Sequence, residues 1–83
     1  MDWQQLIYFQ KLASVLNFTK AADELALTQP ALSRSIARLE EELGAPLFER
    51  KVRGVALNRY GESFLEHANR AIEEITIAKQ ELI

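Results

Sequence analysis

Eighty-three residues, 48% hydrophobic and 27% charged, suit one small domain with a modest core. The absence of cysteine excludes a disulfide framework and thiolate metal ligation. No apolar run approaches bilayer length, and the opening MDWQQLIYFQ lacks the charged n-region of a signal peptide, so a soluble, cytoplasmic chain with no membrane partner is expected.

The formal net charge of −2 argues against nucleic acid, but the charge is unevenly spread. Seven Lys or Arg stand against six Asp or Glu between Lys20 and Arg59, and two against five from Tyr60 onward, which leaves room for a locally positive face. An enzyme is not expected. His67 is the only histidine, and its i, i+4, i+5 spacing with Glu62 and Glu66 spreads the three around a helix, so no metal site is assigned. There is no glycine-rich phosphate loop, and Ser33 and Ser35 have no base nearby.

In chain order, Asp2 followed by Gln5 has the form of a capping box. Leu6, Phe9, Leu12, Ala13 and Leu16 then follow at helical spacing, predicting a first helix from Trp3 to Val15 that packs across the next two. Trp3 fits either the core or an interface, and Tyr8 a partly buried surface position. A second helix is expected from Phe18 to Ala26, capped by Asn17 or Thr19, with Ala21, Ala22 and Leu25 on one face. Only Leu27 and Thr28 separate it from a third helix, which Thr28 caps, which carries Pro30 in its first turn and which stops at Gly44 before Pro46. Two alanines allowing close approach and so short a connection make residues 18–37 a helix-turn-helix pattern.

Leu32, Ile36, Leu39 and Leu43 form one apolar stripe of the third helix. Pro30, Ser33, Arg34, Ala37 and Arg38 lie opposite, and the acids Glu40, Glu41 and Glu42 come only at the far end. Small residues with donors on the N-terminal half suit entry into a major groove; a plain solvated face is the alternative. Lys20, outward on the second helix, meets either a phosphate or water.

Beyond Gly44, Leu47 to Arg50 and Val55 to Leu57 read as short strands around a turn containing Gly54. Arg50, Lys51 and Arg53 cluster there, either as an ordinary soluble turn or, beside a recognition helix, as a wing reaching phosphates or the minor groove. Asn58 caps a last, long helix from Arg59 onward. Gly61, Phe64, Ala68, Ala71, Ile75, Ala78 and Leu82 recur by threes and fours on it, with Leu65 and Ile72 alongside. So long an apolar face exceeds what this core covers, which predicts pairing with a second copy, parallel or antiparallel, through Phe64, Ala68, Ala71, Ile75, Ala78 and Leu82; fold-back on its own domain is the alternative. The chain thus divides into a unit at 1–58 and a linker and dimerisation helix at 59–83. A helical adaptor whose partner is protein fits the long helix equally and the net charge better.

The ordered motifs AAxxL, TQPALSRSI and LEEELGAPLFER, with a glycine opening the long helix, make the run NFTKAADELALTQPALSRSIARLEEELGAPLFERKVRGVALNRYG closely resemble the N-terminal domain of bacterial LysR-type transcriptional regulators. The similarity covers the whole chain. It implies a mainly α fold, a winged helix-turn-helix with a three-helix core and a short β-hairpin wing, followed by a long dimerisation helix. It implies a homodimer on a partly palindromic double-stranded operator, assembled to a tetramer in the full-length protein. A small-molecule effector belongs to a C-terminal domain absent from this fragment, which itself needs no cofactor. Carried over residue by residue, the resemblance puts Gln29, Pro30, Ser33 and Arg34 at base edges, Arg38 near the backbone and Arg50 and Arg53 in the wing; Thr28, Lys20 and Lys51 are grouped with them as backbone or wing candidates. Thr28 stands where the family often has Ser, Asn58 where Thr is usual, and Lys51 where a small polar residue is common.

Overall fold

In the computed structural model, which describes residues 1–83, the order is α1 (Trp3–Val15), α2 (Phe18–Glu24), α3 (Gln29–Leu43), β1 (Phe48–Arg50), β2 (Val55–Leu57) and α4 (Arg59–Glu81). Each helix opens on the cap the sequence marks. Asp2 accepts from Gln5 N at 2.8 Å, Asn17 from Lys20 N at 2.9 Å, Thr28 from Ala31 N at 3.2 Å and Asn58 from Gly61 N at 2.8 Å. Each bond satisfies a first-turn N–H that the helix itself cannot. The reciprocal half of the capping box is not made: Gln5 Nε2 donates instead to Ser35 O at 2.9 Å and ties α1 to α3.

Phe9, Leu12, Leu32 and Leu39 are fully enclosed, and Ala21 and Ala22 let α2 lie against the same core. Phe9 is central, its ring 5.1 Å from Phe64 edge-on and 5.5 Å from Phe48. Such aromatic pairs add roughly 0.5–1.5 kcal/mol each beyond the area they bury. Leu43 departs from the expected stripe: it is 36% exposed, because α3 runs a turn past the core. Leu16 also leaves the core series. It caps α1 in the left-handed conformation (φ 58°), and its carbonyl accepts from Val55 N at 3.1 Å.

The turn of the helix-turn-helix is two residues longer than the sequence predicts. α2 stops at Glu24, and Ala26 takes φ 57° while Leu27 N reaches back to Ala22 O at 2.9 Å and Ala26 N to Asp23 O at 3.1 Å. These are the bonds of a Schellman stop, normally built on glycine. Here alanine holds the left-handed position, at a strain of roughly 1–2 kcal/mol.

β1 and β2 pair antiparallel, with Phe48 opposite Leu57 and Arg50 opposite Val55. Leu47 precedes β1 rather than belonging to it and is buried as a plug. α1 packs not only on α2 and α3 but also runs against α4 in the opposite direction. Gln10 Nε2 donates to Asn69 Oδ1 at 2.8 Å, and Lys79 lies 5.8 Å from the Trp3 ring. Trp3 therefore sits beside α4, 39% exposed, and α1 covers part of the long helix's apolar surface, including Ile72. The remainder of α4 stretches the molecule to 44 × 26 × 19 Å.

Candidate nucleic-acid interface

Thr28 and Pro30 start α3 at the open side of the three-helix core. Pro30, Arg34, Ala37 and Arg38 are exposed there, Gln29 and Ser33 half-buried. Burial of Leu32, Ile36 and Leu39 on the opposite side fixes this rotation of the helix. The wing is brought to the same end. Gln29, Arg50 and Lys51 line a recess of about 280 Å³ with Asn17, Phe18, Thr19, Gly54 and Val55. Three separate stretches of sequence, the start of α2, the start of α3 and the hairpin, therefore share one polar concavity.

Besides the Val55 N to Leu16 O bond, two side-chain contacts hold the wing in place. Glu40, the first of three consecutive acids, is half-buried and accepts from Leu47 N at 2.6 Å and Phe48 N at 3.3 Å. A single carboxylate on α3 thus orients the strand that follows it. Arg50 is not a free wing cation: its guanidinium lies 4.5 Å over the Phe18 ring, which fixes its reach. Neither role has a motif in sequence. Only the spacing of Glu40 from its strand, across the Gly44 stop, hints at the first. Val52, which the sequence reading passed over, is wholly exposed at the tip of the wing.

The ion pairs are distributed unevenly. Lys11 pairs with Glu24 and Arg70 with Glu66, both away from this face. On the face, Lys51 alone has an acidic partner, Glu49 at 3.6 Å, whereas Lys20, Arg34, Arg38, Arg50 and Arg53 have none within ion-pair distance. Five cations without an acidic partner, on α2, α3 and the hairpin, leave positive charge there that the net charge of an acidic protein conceals.

On α4, Ala68 is 3% exposed in the chain's own core, and Phe64 rests on Phe9. Ala68 is therefore removed from the expected pairing seam: its side chain is already covered by the same chain. Ala71, Ile75, Ala78 and Leu82 remain exposed. Tyr60 and His67, which sequence did not assign to the seam, share their side of the helix and border, with Leu43 and Phe64, a mostly apolar groove of about 240 Å³.

A three-helix core that exposes the start of its third helix beside a two-stranded hairpin is a winged helix-turn-helix. The chain belongs to the lysR family of bacterial regulatory helix-turn-helix proteins, whose family model matches residues 3–62. It is 54% identical over 82 residues to a protein of Bacillus subtilis named as the uncharacterized HTH-type transcriptional regulator YybE, covering 99% of this chain and 28% of that relative. Among solved structures, the BenM DNA-binding domain bound to benA site 1 DNA matches with TM-score 0.93 and 38% identity over 99% of this chain and 92% of that one. Full-length CbnR complexed with its target DNA matches with TM-score 0.89 and 37% identity over 98% of this chain and 28% of that one. The chain spans about a quarter to a half of the length of the curated relatives it matches. No helix is long and apolar enough to cross a membrane.

Proposed function

We propose that this chain reads a partly palindromic operator as a homodimer in the bacterial cytoplasm, regulating transcription through sequence-specific contacts. The N-terminal half of α3 enters the major groove, with Gln29, Pro30, Ser33 and Arg34 at base edges. Thr28, Lys20 and Arg38 meet the flanking phosphates, and Arg50, Lys51 and Arg53 carry the wing to the backbone or minor groove. The uncompensated cations around small, exposed residues carry this reading, because groove entry needs both charge and room. The DNA complexes of the similar BenM and CbnR domains support it. Arg34→Ala should weaken binding to the selected operator by about 1–3 kcal/mol and relax preference at one base pair. Arg53→Ala should weaken all duplexes alike and lower the salt slope by about one. Titrations of operator and scrambled duplex at several salt concentrations separate the two, and variants that bind every duplex like the parent would contradict the assignments.

Residues 1–58 form the reading unit and 59–83 the pairing helix, although α4 also closes the core with Gly61, Ala68 and Ile72. The seam Tyr60, Phe64, His67, Ala71, Ile75, Ala78 and Leu82, exposed except at half-buried Phe64, is symmetric about Ala71, with offsets of 4, 7 and 11 residues on either side. That symmetry supports antiparallel pairing with a two-fold axis at Ala71, setting Phe64 against Ala78 and Tyr60 against Leu82. The chain has no native cysteine, so oxidative crosslinking is a clean readout. Ala71→Cys should crosslink and Ala78→Cys alone should not; equal crosslinking of both would indicate parallel pairing. In the same reading a small-molecule effector binds the C-terminal domain of such regulators, and no residue of this chain is assigned to it.

A further inference from the structure

Along its second half α4 packs on its own chain from one side only: Ala68 and Ile72 are buried on the side that meets α1, and Lys79 stands beside Trp3. Beyond the seam centred on Ala71, on the side away from α1, comes a charged flank. Ser63, Arg70, Glu74 and Glu81 lie there, all exposed, about 60–100° around the helix from Ala71. Glu74 and Glu81 have no ion-pair partner, and Arg70 bonds only Glu66, at 2.7 Å, with both side chains largely in solvent.

We infer that Arg70 and Glu74 form a reciprocal charge pair across the dimer, Glu74 of each copy with the partner's Arg70, and that this pair selects a second copy of this chain over other helices of similar apolar spacing. The inference rests on the antiparallel pairing about Ala71 proposed above and deepens it. A two-fold axis at Ala71 brings residues at equal and opposite offsets level and sets like flank beside like flank. Both copies of α1 then lie on one side of the pair and both charged flanks on the other. At about 1.5 Å of rise per residue, Glu74 lies about 4.5 Å beyond the axis and the partner's Arg70 about 1.5 Å beyond it in the same direction, within reach of two long side chains. The partner's His67 follows at about 6 Å and offers Glu74 a second N–H donor. Glu81 faces the partner's Ser63 rather than an acid. Arg70 has N–H donors enough to keep Glu66 and take a carboxylate from the partner as well. Parallel pairing would instead turn this flank toward the partner's α1. Alanine and isoleucine at the seam discriminate little among apolar partners, whereas flanking charges decide which helices pair and in which direction.

The test mixes two charge variants of the 83-residue chain, each also carrying Ala71→Cys, so that paired copies form a disulfide in a glutathione redox buffer and can be told apart by mass. Arg70→Glu makes both flank positions acidic and Glu74→Arg makes both basic. Each variant then opposes like charges in its own dimer, while the mixed dimer restores both pairs. Alone, each should self-associate about tenfold more weakly than the parent at low salt. An equimolar mixture should give roughly nine-tenths mixed dimer, against about one half for random pairing. Contacts within a chain are the same in its own dimer and in the mixed one, so lost helix stability cannot produce this preference. Combining Arg70→Glu with Glu74→Arg in one chain should recover most of the parent's affinity. In about 1 M salt, where charges are screened beyond about 3 Å, the mixture should return toward random. Random mixing at low salt, with every chain still crosslinked, would overturn the charge pair and leave the Ala71 pairing standing. An Ala71→Cys chain that forms no disulfide dimer would overturn the pairing itself, and this inference with it.

Discussion

Gly61→Ala should destabilise the chain by about 3 kcal/mol, although helix propensity alone favours alanine over glycine by about 1 kcal/mol. Gly61 sits in the first turn of α4, where a β-carbon would lie 2.1 Å from Leu47 O and 2.7 Å from Leu57 Cδ2. The leucine side chain can rotate away, but the carbonyl is backbone and accepts from Asn58 N at 3.0 Å, so relief requires α4 to move off the wing. Gly44→Ala makes the control. A β-carbon there meets nothing within 4 Å, so only its φ of 78° opposes the change, at a cost of about 1 kcal/mol. Thermal and urea unfolding of both variants measure the difference. Equal losses, or a Gly61→Ala protein as stable as the parent, would show that α4 does not press on the wing as described.

Glu40→Ala should cost about 2–3 kcal/mol, since it removes two bonds to an ionised acceptor and leaves the Leu47 and Phe48 amides without a partner. The same change should loosen the wing relative to α3, so operator affinity should fall further than Glu41→Ala, at an exposed site, makes it fall. Glu40→Gln, which keeps an oxygen acceptor without the charge, should lose about half as much stability. Unfolding midpoints for the three variants, read beside operator binding, are the check. Indistinguishable stability of the Glu40 and Glu41 variants would return Glu40 to the solvated face.

These two residues also mark where sequence legibility ends. Caps at Asp2, Asn17, Thr28 and Asn58 were readable because a short polar side chain bonds an N–H three residues away, and the intervening chain is the helix itself. The stripe of Leu32, Ile36 and Leu39, the Gly44 stop and the hairpin around Gly54 were readable for the same local reason. Ala26 was not: its left-handed turn lacks the glycine that usually announces one, and backbone bonds to Asp23 O and Ala22 O close it. Glu40 does not stand out in sequence, because three consecutive acids look alike until a strand folds back onto one of them. Ala68 shows the limit of periodicity. A three-and-four pattern says that a face is covered, but not whether the cover is the chain's own α1 or a second molecule. In the candidate interface, residue types were legible through the family's motifs, whereas the Phe18 platform under Arg50 exists only once the fold brings side chains together.

The central claim is that paired copies of this chain read DNA with the first turns of α3. Selection of binding sites by the parent chain from a random duplex library, at low and moderate salt, tests it most directly. The expected result is enrichment of an inverted repeat whose half-sites lie about one helical turn apart, or a multiple of that. Recovery of no common sequence, with retention that vanishes uniformly as salt rises, would contradict it.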